Sequence, residues 1–232
     1  MARSFDNLFI GGSWVPAGAA FNDLNPADGT VWARVADGNG GMAVRAIESA
    51  QAAFPQWSGL TYSERAHYML KVADEFERRR DDLVAALQGE GGGWFGKGMF
   101  ESGYVPEVFR AAAAMTYNAI GEVLPSDHGK VSLAMRRAMG VVTVISPWNF
   151  PTLLTARGLA FPIAAGNCVV LKPSEETPYT GGMIFAEIFE AAGVPPGVLN
   201  VVTCSRENVP AVGDVIVEHP LVKGISFTGS TP

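Results

Sequence analysis

Cysteine and histidine are scarce in this sequence: two cysteines, Cys168 and Cys204, and three histidines among 232 residues. Neither cysteine belongs to a CxxC pair or a Cys/His cluster, so no disulfide framework or structural zinc site can be built and no metal is expected. The same scarcity fits a reducing, cytoplasmic setting. The histidines share no spacing: His67 lies in a helical stretch, His128 in a Gly/Asp turn and His219 before Pro220. No GxSxG elbow supports a Ser–His–Asp scheme. No apolar run approaches the roughly 18 residues of a membrane span, and Asp6 and Asn7 fall where a signal peptide needs apolar residues. Neither a membrane partner nor export is expected. Basic residues are outnumbered, 17 Lys and Arg against 23 Asp and Glu for a net charge of -6, and they form no cluster, which argues against a nucleic-acid partner. Both standard phosphate loops, GxGxxG and GxxxxGK[ST], are also missing.

What is present is a chain 48% hydrophobic, long enough for one large domain or two small ones that bury roughly 70% of the unfolded surface. Residues 8–15 and 31–36 read as short strands separated by the turn signals Asn25-Pro26 and Asp28-Gly29, a hairpin-like scaffold. Helical spacing follows from Gly41 to Phe54, and Thr61-x-x-Glu64 is a capping box opening a helix through Phe76. A further helix covers about Arg80 to Gln88, the Gly-rich EGGGW breaks it, and another spans Phe100 to Ile120.

After Gly121 the texture changes. KVSLAMRRAM and GVVTVI read as strands, and the continuous apolar strands NCVVLK, VLNVV and VKGISF then alternate with helical segments at 152–164, 178–192 and 207–218. This alternation predicts an α/β fold with a Rossmann-like parallel sheet covered by helices on both faces and preceded by a helical region. In such sheets ligands bind outside the carboxyl ends of the strands, which singles out the loops SPWNFP, KPSEETP, TCSREN and FTGSTP.

Four ordered motifs, ISPWNFP, AAGNCVVLKPSEETP, GVPPGVLNVV and ISFTGST, together with GEVLPSD upstream, resemble the aldehyde dehydrogenase superfamily over essentially the whole chain. The resemblance implies an aldehyde dehydrogenase-type fold in three parts: strands and helices of the cofactor-binding domain at 1–122, a strand segment of an oligomerisation arm at 123–140, and a Rossmann-like NAD-binding portion at 141–232, incomplete at its C-terminus. It also implies NAD-dependent oxidation of an aldehyde to the acid.

By the same resemblance Lys172 and Glu175, with Ser174, hold the adenosine ribose. A carboxylate accepts hydrogen bonds from both ribose hydroxyls and repels a 2′-phosphate, which favours NAD over NADP, while Lys172 softens that preference. Asn149 takes the oxyanion role, its amide donating to the oxygen that becomes negative when a thiolate attacks the aldehyde. Trp148 forms a cofactor wall, with Ile145, Ser146 and Pro147 lining the same cleft. Phe227, Thr228, Gly229 and Ser230 match the strand-to-helix phosphate turn, but the sequence stops at Pro232 before its helix.

The family's nucleophilic Cys and general-base Glu are expected beyond residue 232. Cys168 reads as a small buried hydrophobe and Cys204 as a surface thiol. Arg157 and Gly158, with Trp94, look like the pattern of benzaldehyde, vanillin and salicylaldehyde dehydrogenases. Together with Phe150 they suggest a site for an aromatic aldehyde. The strands around Val131 to Met139 resemble the family's oligomerisation arm and imply a homodimer or homotetramer. The alternative is a non-catalytic truncated gene product acting as a nucleotide-binding or oligomerisation module.

Overall fold

The computed structural model describes residues 3–230. Thr231 and Pro232, the end of the FTGSTP loop, lie outside the described residues. Five short strands open the fold: β1 (Arg3–Phe5), β2 (Asn7–Ile10), β3 (Ser13–Pro16), β4 (Ala20–Leu24) and β5 (Val31–Ala36). The stretch 8–15 is therefore two strands, not one. Gly11 and Gly12 adopt φ of 65° and 74°, the paired left-handed conformation of a tight hairpin turn, which splits the run. Strands β1, β5 and β4 form a small sheet in that order.

Four helices follow: α1 (Gly40–Ser58), α2 (Tyr62–Arg78), α3 (Arg80–Gly89) and α4 (Phe95–Met115). The Thr61 capping box is complete, with Glu64 N donating to Thr61 Oγ1 at 3.2 Å and Thr61 N donating to Glu64 at 2.8 Å. The fourth helix begins five residues before the predicted start and ends five before the predicted end. Gly96 and Gly98, just past the EGGGW break, lie within its first turns, and Gly98 sits where a Cβ would come 3.2 Å from Val84 on α3. Phe76, Phe109, Phe185 and Phe189 interlock behind these helices, with the Phe76 and Phe109 rings 5.5 Å apart.

The strands β6 (Gly121–Leu124) and β7 (Ser132–Met135) pair only with each other. The remaining elements are β8 (Val141–Ile145), α5 (Pro151–Ala164), β9 (Cys168–Lys172), a π-helical turn at Tyr179–Met183 running into α6 (Ile184–Ala191), β10 (Leu199–Val201), α7 (Val209–Glu218) and β11 (Val222–Phe227). The segment predicted as a single helix at 178–192 thus starts with a wider turn. There Gly182 lies against Pro173, where a Cβ would come within 2.6 Å of the ring.

The main sheet has the order β11-β8-β9-β10-β2-β3. Its first four strands are mutually parallel, and the β2–β3 hairpin extends it antiparallel to β10. Helices α5 and α6 pack on one side, α1 and α7 against each other on the opposite side. The chain runs from β8 through β9 to β10 and then returns to place β11 on the other flank of β8. Strand order therefore reverses between β11 and β8, the position where doubly wound sheets open a crevice.

Candidate functional site

Register places the predicted loops side by side. Ile145 at the end of β8 lies opposite Lys172 at the end of β9, and opposite Phe227 at the end of β11. Two backbone bonds extend this alignment past the strands: Ser146 N donates to Lys172 O at 3.3 Å and Thr228 N to Ile145 O at 3.0 Å. The side chain of Lys172 is buried, and its ammonium donates to Pro173 O at 2.9 Å. Ser146 is also buried, its hydroxyl accepting from Thr155 Oγ1 at 2.7 Å, so that side chain serves the seating of α5 rather than the open cleft. Gly158 lets the same helix approach the sheet, because a Cβ there would come 2.9 Å from Val144.

Trp148 and Asn149 are exposed in the loop between β8 and α5. Asn149 Oδ1 accepts the N–H of Phe150 at 3.1 Å. That bond assigns the oxygen side of the amide and leaves the NH2 with no partner among the described residues. The loop is held from behind by residues the sequence did not single out. Glu101 is fully buried on α4, accepts Leu153 N–H at 3.2 Å and pairs with Lys97 Nζ at 2.6 Å. Lys97 in turn lies 4.8 Å from the centre of the Phe150 ring. Phe100 meets the same ring edge-on at 6.3 Å, and Tyr104 stacks on Phe100 at 5.7 Å. The only sequence signal for this cluster is the spacing of Lys97, Glu101 and Tyr104 on one helical face.

A cleft of about 490 Å³ opens at the end of β9, lined among others by Leu24, Trp148, Ser174, Glu175, Thr177 and Arg206. Glu175 is mostly covered, and its Oε1 lies 3.2 Å from Arg206 Nε, while Arg206 also donates to Glu176 at 2.7 Å. Beside the cleft two acids are buried together, Asp23 on β4 and Glu90 after α3. Glu90 accepts the N–H groups of Tyr179 and Thr180 at 2.6 and 2.8 Å, capping the π-helical turn. It also accepts the Thr180 hydroxyl.

Cys204 is a correction to the sequence reading. It is buried, not a surface thiol, and burial pushes its pKa up to about 11. The thiol belongs to the hydrophobic core, and the polar loop that follows it is tied to Asp37, which accepts Ser205 N at 2.7 Å and Asn208 Nδ2 at 3.0 Å. Cys168 is buried in β9, and burial pushes it up to about 12. Neither sulfur has the exposed, electropositive surroundings that generate a thiolate.

Ile145, Ser146, Pro147, Trp148, Lys172 and Thr228 thus cluster where β8, β9 and β11 end, and Ser174 and Glu175 line the adjoining cleft. The Phe227 ring folds over Gly229, where a Cβ would come 2.4 Å from it, and Ser230 ends the described chain. Trp94, the residue that precedes α4, and Arg157 on α5 are exposed, and no hydrogen bond or ring contact joins them among the described residues. Also among the described residues, no group of three His, Cys, Asp or Glu side chains is placed to hold a metal, and no helix is long and apolar enough to cross a membrane.

The model of the aldehyde dehydrogenase family matches residues 14–232. The chain belongs to the aldehyde dehydrogenase family. It is similar to a vanillin dehydrogenase of a Pseudomonas species, 39% identical over 97% of this chain and 47% of the relative. It is also similar to the mitochondrial succinate-semialdehyde dehydrogenase of Rattus norvegicus, 36% identical over 96% of this chain and 43% of the relative. Among solved structures, a NAD-dependent benzaldehyde dehydrogenase from Corynebacterium glutamicum superposes with a TM-score of 0.91 at 36% identity, covering 97% of this chain and 48% of that one. This aldehyde dehydrogenase chain therefore spans about half the length of the relatives it matches.

Proposed function

We propose that this chain forms the cofactor and oxyanion side of a NAD-dependent aldehyde dehydrogenase site that oxidises an aromatic aldehyde to its acid. The observation that carries this reading is the register of Ile145, Lys172 and Phe227, which brings the loops of three parallel strands to one crevice beside the free amide of Asn149. The residues present suit a dinucleotide: a cleft of adequate size, a carboxylate and an ammonium at one strand end, and an indole at its wall. Bound NAD supplies the acceptor for the hydride of the aldehyde carbon.

Glu175 accepts the ribose hydroxyls, Lys172 sets a positive charge beneath them, and Trp148 packs against the cofactor. The turn at Phe227, Thr228, Gly229 and Ser230 approaches the pyrophosphate. Asn149 donates its amide hydrogen to the carbonyl oxygen as negative charge develops there. Cys168 and Cys204 are chemically unsuited to attack, so the thiolate and the base that activates water come from other residues. The rings of Phe150, Phe100 and Tyr104 provide the wall for a flat aldehyde. The aromatic relatives named above favour the same substrate class.

The test uses the purified chain. NAD is expected to quench tryptophan fluorescence, and Glu175→Gln to weaken that binding about tenfold. No NADH should form from benzaldehyde or succinate semialdehyde. Turnover abolished by iodoacetamide would instead make Cys168 or Cys204 a nucleophile, and absence of NAD binding would remove the cofactor-side reading. Saturation-transfer NMR with benzaldehyde and butanal reads the ring preference, which Phe150→Ala should erase.

A further inference from the structure

We infer that Lys97, lying over the Phe150 ring, makes the aldehyde wall prefer electron-rich rings, such as methoxy- and hydroxybenzaldehydes, over electron-poor ones; the inference rests on the aromatic-aldehyde reading above. An isolated benzene ring carries negative potential on both faces and repels the face of an electron-rich ring. Phe150 is not isolated. The Lys97 ammonium lies over it, 4.8 Å from the ring centre, and the electrostatic attraction between cation and ring draws π density toward that face. The opposite face becomes less negative, and an electron-rich ring meets less repulsion there.

The ammonium is built into this place. Glu101, one helical turn further along α4 and fully buried, accepts from Lys97 Nζ at 2.6 Å with one oxygen and from Leu153 N–H at 3.2 Å with the other. The same carboxylate thus ties the lysine to α5, the helix that starts directly after Phe150. The EGGGW turn closes over the arm, since a Cβ at Gly93 would lie 3.4 Å from Lys97 Cδ and 3.7 Å from Nζ. Only 19% of the lysine side chain reaches solvent, so its charge is weakly screened. Because the ammonium fills one face of Phe150, a substrate ring stacks on the other, beside the half-exposed rings of Phe100 and Tyr104.

Lys97 touches no substrate in this scheme. It is a positioning residue that acts through Phe150, and its signature is electronic rather than steric. A loosened helix would weaken all aldehydes alike, whereas loss of the charge changes the ratio between aldehydes of similar size and opposite electron demand.

Titration of the purified chain with 4-methoxybenzaldehyde and with 4-nitrobenzaldehyde, followed by ligand-observed NMR, reads that ratio. The wild-type chain should bind the methoxy compound at least about threefold more tightly. Lys97→Arg keeps the cation and should keep the preference. Lys97→Gln, whose amide still donates to Glu101, and Lys97→Met combined with Glu101→Gln both remove the cation and should erase or reverse it, with circular dichroism confirming the fold. Equal binding of the two aldehydes by the wild type, or a preference that survives in the neutral variants, overturns the inference while the aldehyde wall stands. If the wild-type chain binds neither aldehyde, or Phe150→Ala alters neither, the aromatic-wall reading falls and the inference with it.

Discussion

Asp23 keeps its proton far above the ordinary carboxylate range. Burial, followed by the charge of Glu90, pushes its pKa up to about 9, and its Oδ2 has no hydrogen-bond partner among the described residues. A bare buried oxygen makes the ionised form costly. Glu90 is raised by burial as well, but the donors from Tyr179 and Thr180 oppose that rise, so it is the member of the pair that ionises first. In the unfolded chain both acids ionise near their ordinary values. The stability these protons confer is therefore complete below about pH 4 and lost as pH rises through the elevated folded values. Urea denaturation should show stability falling by at least about 1 kcal/mol between pH 6 and pH 8, and Asp23→Asn should flatten that decline. An unaltered slope in the variant would mean that Asp23 is ionised in the fold. This pair was not legible in the sequence, because its members lie far apart along the chain and each reads as an ordinary surface acid. Cys204 misled for a related reason: its polar neighbours in the sequence imply exposure, whereas the thiol packs into the hydrophobic core and those neighbours are tied to Asp37, also remote. The position of Lys172 and Glu175 at the end of a strand was legible because the apolar run that precedes them forms β9.

Between α4 and α5 the unit of construction is the Lys97–Glu101 pair with the Leu153 N–H. Removing Glu101 strips an acceptor from the first turn of α5 and leaves a largely covered ammonium unpaired. Glu101→Leu should cost about 2–3 kcal/mol in thermal or urea denaturation. Adding Lys97→Met should recover part of that loss, because the orphaned charge is then gone. A double variant no more stable than the single one would show that the pair does not carry the effect. Helix α2 was legible to its first residue because its cap is written locally in Thr61 and Glu64. The start of α4 was not, because Gly98 acts through contact with Val84, a fact about packing rather than propensity.

At the scale of the whole molecule, the two-stranded β6–β7 arm stands apart from the main sheet with its apolar side chains in solvent. Val123 and Val131 are 78% and 81% exposed, and Leu133 and Met135 are exposed beside them. Such a patch with open strand edges favours pairing with another copy. Sedimentation equilibrium should show concentration-dependent association, weakened at least about tenfold by Val131→Lys with Leu133→Lys. Association unchanged by these variants would place the contact elsewhere. The parallel part of the sheet was legible from its continuous apolar strands, whereas the destination of the amino-terminal hairpin was not, since no local signal names a partner so remote. Phe9 pairs with Val201, and Gly11 N donates to Asn200 Oδ1 at 2.8 Å across 189 residues of sequence. On a ribosome adding about 5–20 residues per second, the apolar run Leu8-Phe9-Ile10 waits roughly ten to forty seconds for the strand that will cover it. The earliest part of the sheet to be synthesised is among the last to find its place, and through that interval the nascent chain depends on its helices, or on a chaperone, to keep that edge from a stranger.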